Sequence, residues 1–138
     1  MPLPTLSIPD YECVLPFGQK VTYRPFLVRE EKLLYMAMET QNQKEMIKAV
    51  KEIIKNCTNV KNVNTLTTFD IEYLFLKIRG KSVGEVSEFK ITCPDDEKTT
   101  VDVEVNLDDV EIQIPKDHSN KIKLNDEITL TMKYPSLD

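Results

Sequence analysis

The hydrophobic pattern of this chain changes period at Ser82. Between Arg29 and Arg79 apolar residues recur with a helical period of about 3.6; after Ser82 they alternate one-for-one with polar ones. Helices gathered in one half and strands in the other are incompatible with the alternating β-α-β order of a parallel sheet. They predict an α+β fold with an antiparallel sheet. The predicted division places an extended arm, a hairpin and a helical part in residues 1–83, and an antiparallel β half in residues 84–138. With 138 residues, the two halves are expected to pack as one unit, the helices covering the apolar face of some of the strands.

Within the first half, Pro2, Pro4 and Pro9 make the start an extended arm. Residues 11–15 and 21–28 read as two strands around the turn Pro16-Phe17-Gly18-Gln19. Pro25 has no N–H to give to a ladder, so the second strand lies at an edge or bends there. Arg29-Glu30-Glu31-Lys32 opens a helix with both glutamates in the first turn, where the helix dipole favours them. The six apolar residues from Leu33 to Met38 then cover more than half of the cylinder, so this helix is expected to be wrapped on several sides. Asn42, with Glu45 three residues on, caps a second helix. Met46, Val50, Ile53 and Cys57 form its apolar stripe, and Lys44, Lys48, Lys51 and Lys55 its wet face. Residues 56–66 read as a loop. Thr67 with Asp70 fits the capping box of a third helix over residues 69–79, with Thr68 as the alternative cap and Gly80 as its stop.

In the second half Phe89, Ile91 and Cys93 alternate, as do Val101, Val103 and Val105, and Val110, Ile112 and Ile114. Ile122 with Leu124, and Ile128 with Leu130 and Met132, supply two more such runs. The expectation is a four- to five-stranded antiparallel meander with one apolar face.

Groups able to do chemistry are sparse. The single histidine, His118, stands in the hydrophilic run KDHSN, and its preferred reading is a solvated side chain. Three widely spaced cysteines, Cys13, Cys57 and Cys93, argue for reduced thiols instead of a disulfide framework. A Cys-Pro-x-Cys zinc knuckle at Cys93 would need a second thiolate at position 96, where Asp96 stands. The acidic residues Asp102, Glu104 and Glu111 alternate with valine and isoleucine, which places them on the wet face of a sheet. The three glycines fall in no phosphate-cradling spacing. The lysine face of the second helix lacks interleaved aromatics and reads as solvated. No catalytic, cofactor-binding or metal-binding residue is assigned, and an enzyme is not expected.

Charge is uneven. Residues 1–65 carry 9 Lys/Arg against 7 Asp/Glu, and residues 66–138 carry 9 against 16. A net charge of −5 gives no general attraction to nucleic acid or anionic lipid. The start, MPLPTLSIPD, lacks the basic and apolar regions of a secretory signal. No apolar run approaches the ~20 residues of a membrane span. Neither a nucleic acid, a membrane nor a small-molecule substrate is therefore an expected partner.

The run Tyr23-Arg24-Pro25-Phe26-Leu27-Val28-Arg29-Glu30-Glu31-Lys32-Leu33-Leu34 resembles a signature of the baseplate hub subunits, or hub assembly proteins, of T-even-type contractile-tailed phages. The Pro-rich start, the turn Leu15-Pro16-Phe17-Gly18-Gln19-Lys20 and the stretch from Phe69 to Arg79 are similar to that family too, as is the closing run from Lys123 to Pro135. This chain departs from relatives with a Cys-Pro-x-Cys knuckle at Asp96. Relatives also tend to run on past Asp138, so a shorter or shortened member is expected. The resemblance implies no catalytic residue. It implies a structural or assembly role in the tail baseplate hub, carried out by binding other tail or hub proteins, in the host cytoplasm during assembly and then in the virion baseplate. The alternative is a chaperone-like assembly factor that holds a hub or tape-measure protein and is absent from the mature virion. Phe26, Leu33, Leu34 and Met36, in the most apolar stretch of the chain, are the expected partner interface, with Leu137 and the Pro-rich arm as further contributors.

Overall fold

Gly18, at φ +87°, closes the first turn, and Leu15 and Gln19 are bonded across it through N–H and carbonyl at 2.9 Å. The flanking residues pair antiparallel as β1 (Tyr11–Val14) and β2 (Lys20–Tyr23). The computed structural model describes residues 7–137; of the Pro-rich arm, residues 1–6 lie outside the described residues. Strand β2 stops at Tyr23, well short of the expected Val28. Its next N–H, that of Arg24, is given to the Cys57 carbonyl at 2.8 Å, and Pro25 has none to give. The chain then turns into helix α1 (Val28–Glu39).

Helix α1 lacks a polar N-cap side chain, because Leu27 occupies that place. Glu30 compensates: its carboxylate accepts the Leu27 N–H at 2.8 Å. Helix α2 (Gln43–Cys57) begins as expected at Asn42, whose side chain accepts the Lys44 N–H at 3.0 Å. The end of α2 docks along β2, where Tyr23 bridges to Thr58 and Asn59 exchanges two hydrogen bonds with Thr22, both at 3.1 Å. Residues 56–66 are thus more than a loop. A 3-10 turn (Val63–Thr65) buries Val63, and Val60 and Leu66 enter the core beside it.

Helix α3 (Thr68–Val83) starts at the expected Thr67–Asp70 box but runs one turn beyond Gly80. Gly80 is an internal helical residue, buried where Leu107 crosses the helix. The stop is Gly84, at φ +137°, a conformation that side chains with a Cβ rarely adopt. The main core cluster lies among β1, β2 and the turn between them, α2, the following turn and α3: Val21, Ile53, Ile54, Ile71, Leu74 and Ile78 are fully enclosed in it.

Three antiparallel strand pairs form among the described residues, and they do not join into one sheet. After β1–β2 come β3 (Val86–Thr92) with β4 (Thr100–Asn106), and the short β5 (Lys121–Lys123) with β6 (Thr129–Thr131). The α+β class holds; the continuous meander does not form. Val110, Ile112 and Ile114 alternate like a strand, yet residues 110–115 make no ladder. A 3-10 turn (Leu107–Asp109) redirects the chain after β4 toward α3. Nor do helices cover the apolar face of β3–β4. Only its helix-proximal end meets α3, where Arg79 donates to the Ser87 hydroxyl at 3.0 Å.

Candidate interaction surface

Helix α1 divides its side chains between two fates. Glu30 and Ala37 are buried, with Leu33 and Leu34 half-buried against the core on either side of them. The opposite face is left to solvent and is rich in apolar residues: Val28 is 81% exposed, Tyr35 59% and Met36 56%. A helix whose apolar run covers more than half of the cylinder, and whose sequence predicts wrapping on several sides, is here wrapped on one. The anchor is Glu30, whose side chain has no exposed surface and whose Oε1 accepts from Arg24 and Arg29, each at 3.1 Å. Burial alone would raise its pKa. Hydrogen bonds from Arg24, the Leu27 N–H and Arg29 outweigh that and hold the carboxyl below its usual range.

The four residues expected at a partner interface are therefore distributed unequally. Phe26 is half-buried and engaged within the chain: its N–H goes to the Ser82 hydroxyl at 2.8 Å and its ring meets that of Phe75 at 5.9 Å. Leu33 and Leu34 are largely spent on the core. Met36 stands free, in a shallow groove with Arg29, Lys32 and Leu33 of α1 and Glu52 and Asn56 of α2. Leu137 packs on the core.

A second apolar face lies on β3–β4. The register sets Phe89 opposite Val103 and Ile91 opposite Val101, so these side chains share one face of the ribbon, with Glu88, Lys90, Asp102 and Glu104 on the other. Phe89 is 50% exposed, Ile91 53% and Val101 49%. The alternation is visible in the sequence, but as a core face. The signal that it would stay open is one of supply: the apolar stripes of α2 and α3 are consumed in enclosing one another and β2. A two-stranded ribbon with a bare apolar face is marginal alone in water.

Besides the Arg79–Ser87 hydrogen bond, two places among the described residues hold the β half to the helical part. At the first, the buried Lys77 donates from Nζ to the Asp108 carbonyl at 2.9 Å, and Lys81 binds the Asp108 carboxylate at 2.8 Å and pairs with Glu85. The hydrogen bond from Lys81 holds the Asp108 carboxyl below its usual pKa, and the bonds from Asp108 and then Glu85 raise that of Lys81. At the second, the Pro135 carbonyl accepts both the N–H and the hydroxyl of Thr68, at 3.2 and 3.1 Å. Tyr134 there joins Phe17 and Phe69 in an aromatic group. His118 is exposed, but more engaged than a merely solvated histidine. Its ring stacks on Tyr134 and its Nε2 is hydrogen-bonded to the Tyr134 hydroxyl.

The remaining chemical candidates have structural partners. Asp96, at the place of a knuckle thiolate, accepts the N–H groups of Lys98 and Thr99 at 3.1 and 3.0 Å and shapes the β3–β4 turn. Burial pushes the Cys57 thiol up to about 11 and raises that of Cys13, which disfavours a thiolate at either. Among the described residues, no three His, Cys, Asp or Glu side chains converge as metal ligands would, and no helix is long and apolar enough to cross a membrane.

Fold and surface together define a small α+β protein with a helix-rich core and apolar faces left without a cover. The chain belongs to the T4 bacteriophage base plate protein family, whose model matches residues 8–138. That places it among the baseplate proteins of T4-type phage tails and agrees with the sequence resemblance at this level. Comparison with curated proteins and with solved structures gives no significant match.

Proposed function

We propose that this chain is a structural or assembly component of the baseplate hub of a contractile tail, and that it acts by binding other tail proteins without catalysing a reaction. The observation that carries this reading is the open apolar surface on α1 and β3–β4, with Tyr35, Met36, Phe89 and Ile91 each half or more exposed. Isolated exposed apolar residues are ordinary, but two patterned faces of them mark surfaces meant for partners. Assembly begins in the host cytoplasm and ends with the chain in the tail baseplate.

Mass spectrometry of purified virions is the direct test, together with co-purification of the chain with the other hub proteins. The chain should be present in finished particles, and Met36→Asp combined with Tyr35→Asp should reduce hub assembly while leaving the fold intact. Particles that assemble in its presence but contain none of it would overturn the structural role and leave that of a departing assembly factor.

A further inference from the structure

The ribbon β3–β4 leaves both of its backbone edges unpaired among the described residues. Hydrogen bonds at the two ends of its ladder fix which groups point outward. The Leu107 N–H goes to the Glu85 carbonyl at 2.7 Å, and the Cys93 N–H to the Thr99 carbonyl at 2.8 Å. Both bonds fall at odd-numbered residues on the β3 side of an unbroken register, so Ser87, Phe89 and Ile91 spend their N–H and carbonyl groups on β4. Val86, Glu88, Lys90 and Thr92 aim theirs at the open edge, and all of them are exposed. Phe89 is the middle of β3, with Glu88 on one side of it and Lys90 on the other. Within the chain Glu88 lies opposite Glu104, a like-charge pair, and neither has an ion-pair partner among the described residues. Lys90 comes no nearer than 4.0 Å to Asp102, with the two side chains 77% and 82% exposed.

We propose that the open edge of β3 pairs antiparallel with the same edge of a second copy of this chain, centred on Phe89, and joins the two ribbons into one sheet in the order β4-β3-β3-β4. In that register Glu88 lies opposite the second copy's Lys90, and Lys90 opposite its Glu88, through the residues whose backbone groups point outward. Glu88 thereby gains the cation that its own chain does not set against it. The two Phe89 rings meet across a pair without ladder bonds, where side chains approach most closely. Charge selects this register. Pairings that keep the apolar residues on one face move their centre by whole residues. Centred on Glu88 or on Lys90 they set like charges directly opposite, and centred farther out they shorten the ladder. The β4 edge does not match itself, because centring it on Val103 puts Asp102 opposite Glu104. The contact is isologous, so it consumes the β3 edge of both copies and stops at two. A ribbon that is marginal as two strands becomes half of a sheet of four. The contact is made by the backbone edge, leaves the apolar face of the sheet free, and does not depend on the role of the chain in the baseplate.

Sedimentation velocity of the purified full chain tests it, with hydrogen exchange on the same samples. The wild-type chain should pass from monomer to dimer as concentration rises and grow no further. The amides of Glu88 and Lys90 should slow as the dimer forms, while those of Asp102 and Glu104, on the outer edge of β4, stay fast. Glu88→Lys and Lys90→Glu each leave the β3 edge with charges of one sign. Both positions are exposed, and unchanged circular dichroism and melting verify that each variant folds. Alone, each variant should dimerise about tenfold or more less tightly than the wild type. An equimolar mixture of the two should regain the wild-type affinity, because the charges are again opposite across the edge. A wild-type chain that stays monomeric up to about 1 mM overturns the proposal. So does association that continues past the dimer, as a β3-to-β4 contact would give, or slowing of the Asp102 and Glu104 amides in place of those of Glu88 and Lys90. A mixture that associates no better than its components overturns it equally. A monomeric chain that is nonetheless present in purified virions defeats the dimer alone and leaves the baseplate reading standing.

Discussion

Glu30 is the residue on which the start of α1 depends. It is buried, charged, and bonded to two guanidinium groups and one backbone N–H. Of the two arginines, Arg29 is 75% exposed and contributes little, whereas Arg24 is 17% exposed and would be left unpaired by a neutral replacement. Glu30→Gln is expected to cost about 2–3 kcal/mol at pH 7, measured by urea denaturation. Because the folded carboxyl titrates below its usual value, its contribution is complete above about pH 4.3 and is lost as the pH falls toward the folded pKa. The wild-type chain should therefore lose stability on acidification below about pH 4.3 more steeply than the Gln variant. The two glycines of α3, Gly80 inside the helix and Gly84 just past its end, make an opposing pair. A Cβ on Gly80 would meet Leu107 at 3.7 Å, an ordinary contact, so Gly80→Ala should raise stability by about 0.5–1 kcal/mol through helix propensity. Gly84→Ala, at φ +137°, should lower it by about 1–3 kcal/mol. Thermal melts of both variants check the opposite signs.

At the scale of elements, what was legible in the sequence was what local chemistry decides. The Asn42 cap and the stripe from Met46 to Cys57 specify α2 without help, and the turn around Gly18 specifies the first hairpin. The misread boundaries have distant causes. Gly80 looks like a stop, but a glycine ends a helix only where the backbone turns left-handed, and that is at Gly84; Gly80 instead continues the helix beneath Leu107, far along the chain, with space left for a Cβ. The second strand ends early because the Cys57 carbonyl, another non-local partner, takes the Arg24 N–H. Alternation over Val110, Ile112 and Ile114 describes a residue pattern, while a strand also needs an edge to pair with, and the turn at Leu107 steers this segment away from β4. The same gap explains the candidate interface. Apolar density singles out the region around Met36, but which of its residues the core would consume depends on how α1 settles on it, and the open face of β3–β4 depends on what the helices had left. Hydrogen exchange should register the difference. Amides of β3 and β4 should exchange far faster than those of α2 and α3, and they should slow when a partner covers Phe89 and Ile91.

Across the whole molecule, stability is concentrated in one half. Ile53 and Leu74 have no exposed surface, and Ile53→Ala or Leu74→Ala should each cost about 2–5 kcal/mol in a cooperative unfolding transition. An equivalent deletion at Ile122 or Leu130, both on the exposed β5–β6 pair, should cost less than about 1 kcal/mol. The chain between Asp108 and Pro135 is fastened at those two points, by Lys77 and Lys81 at one and Thr68 at the other. It thus resembles a handle riveted at both ends to a solid block. A handle can be lengthened, labelled or bent without loosening the block. The turn at Asn125 and Asp126 is accordingly the place where a short epitope or a fluorophore would ride on the protein with its core undisturbed, close to whatever that outer strap comes to grip.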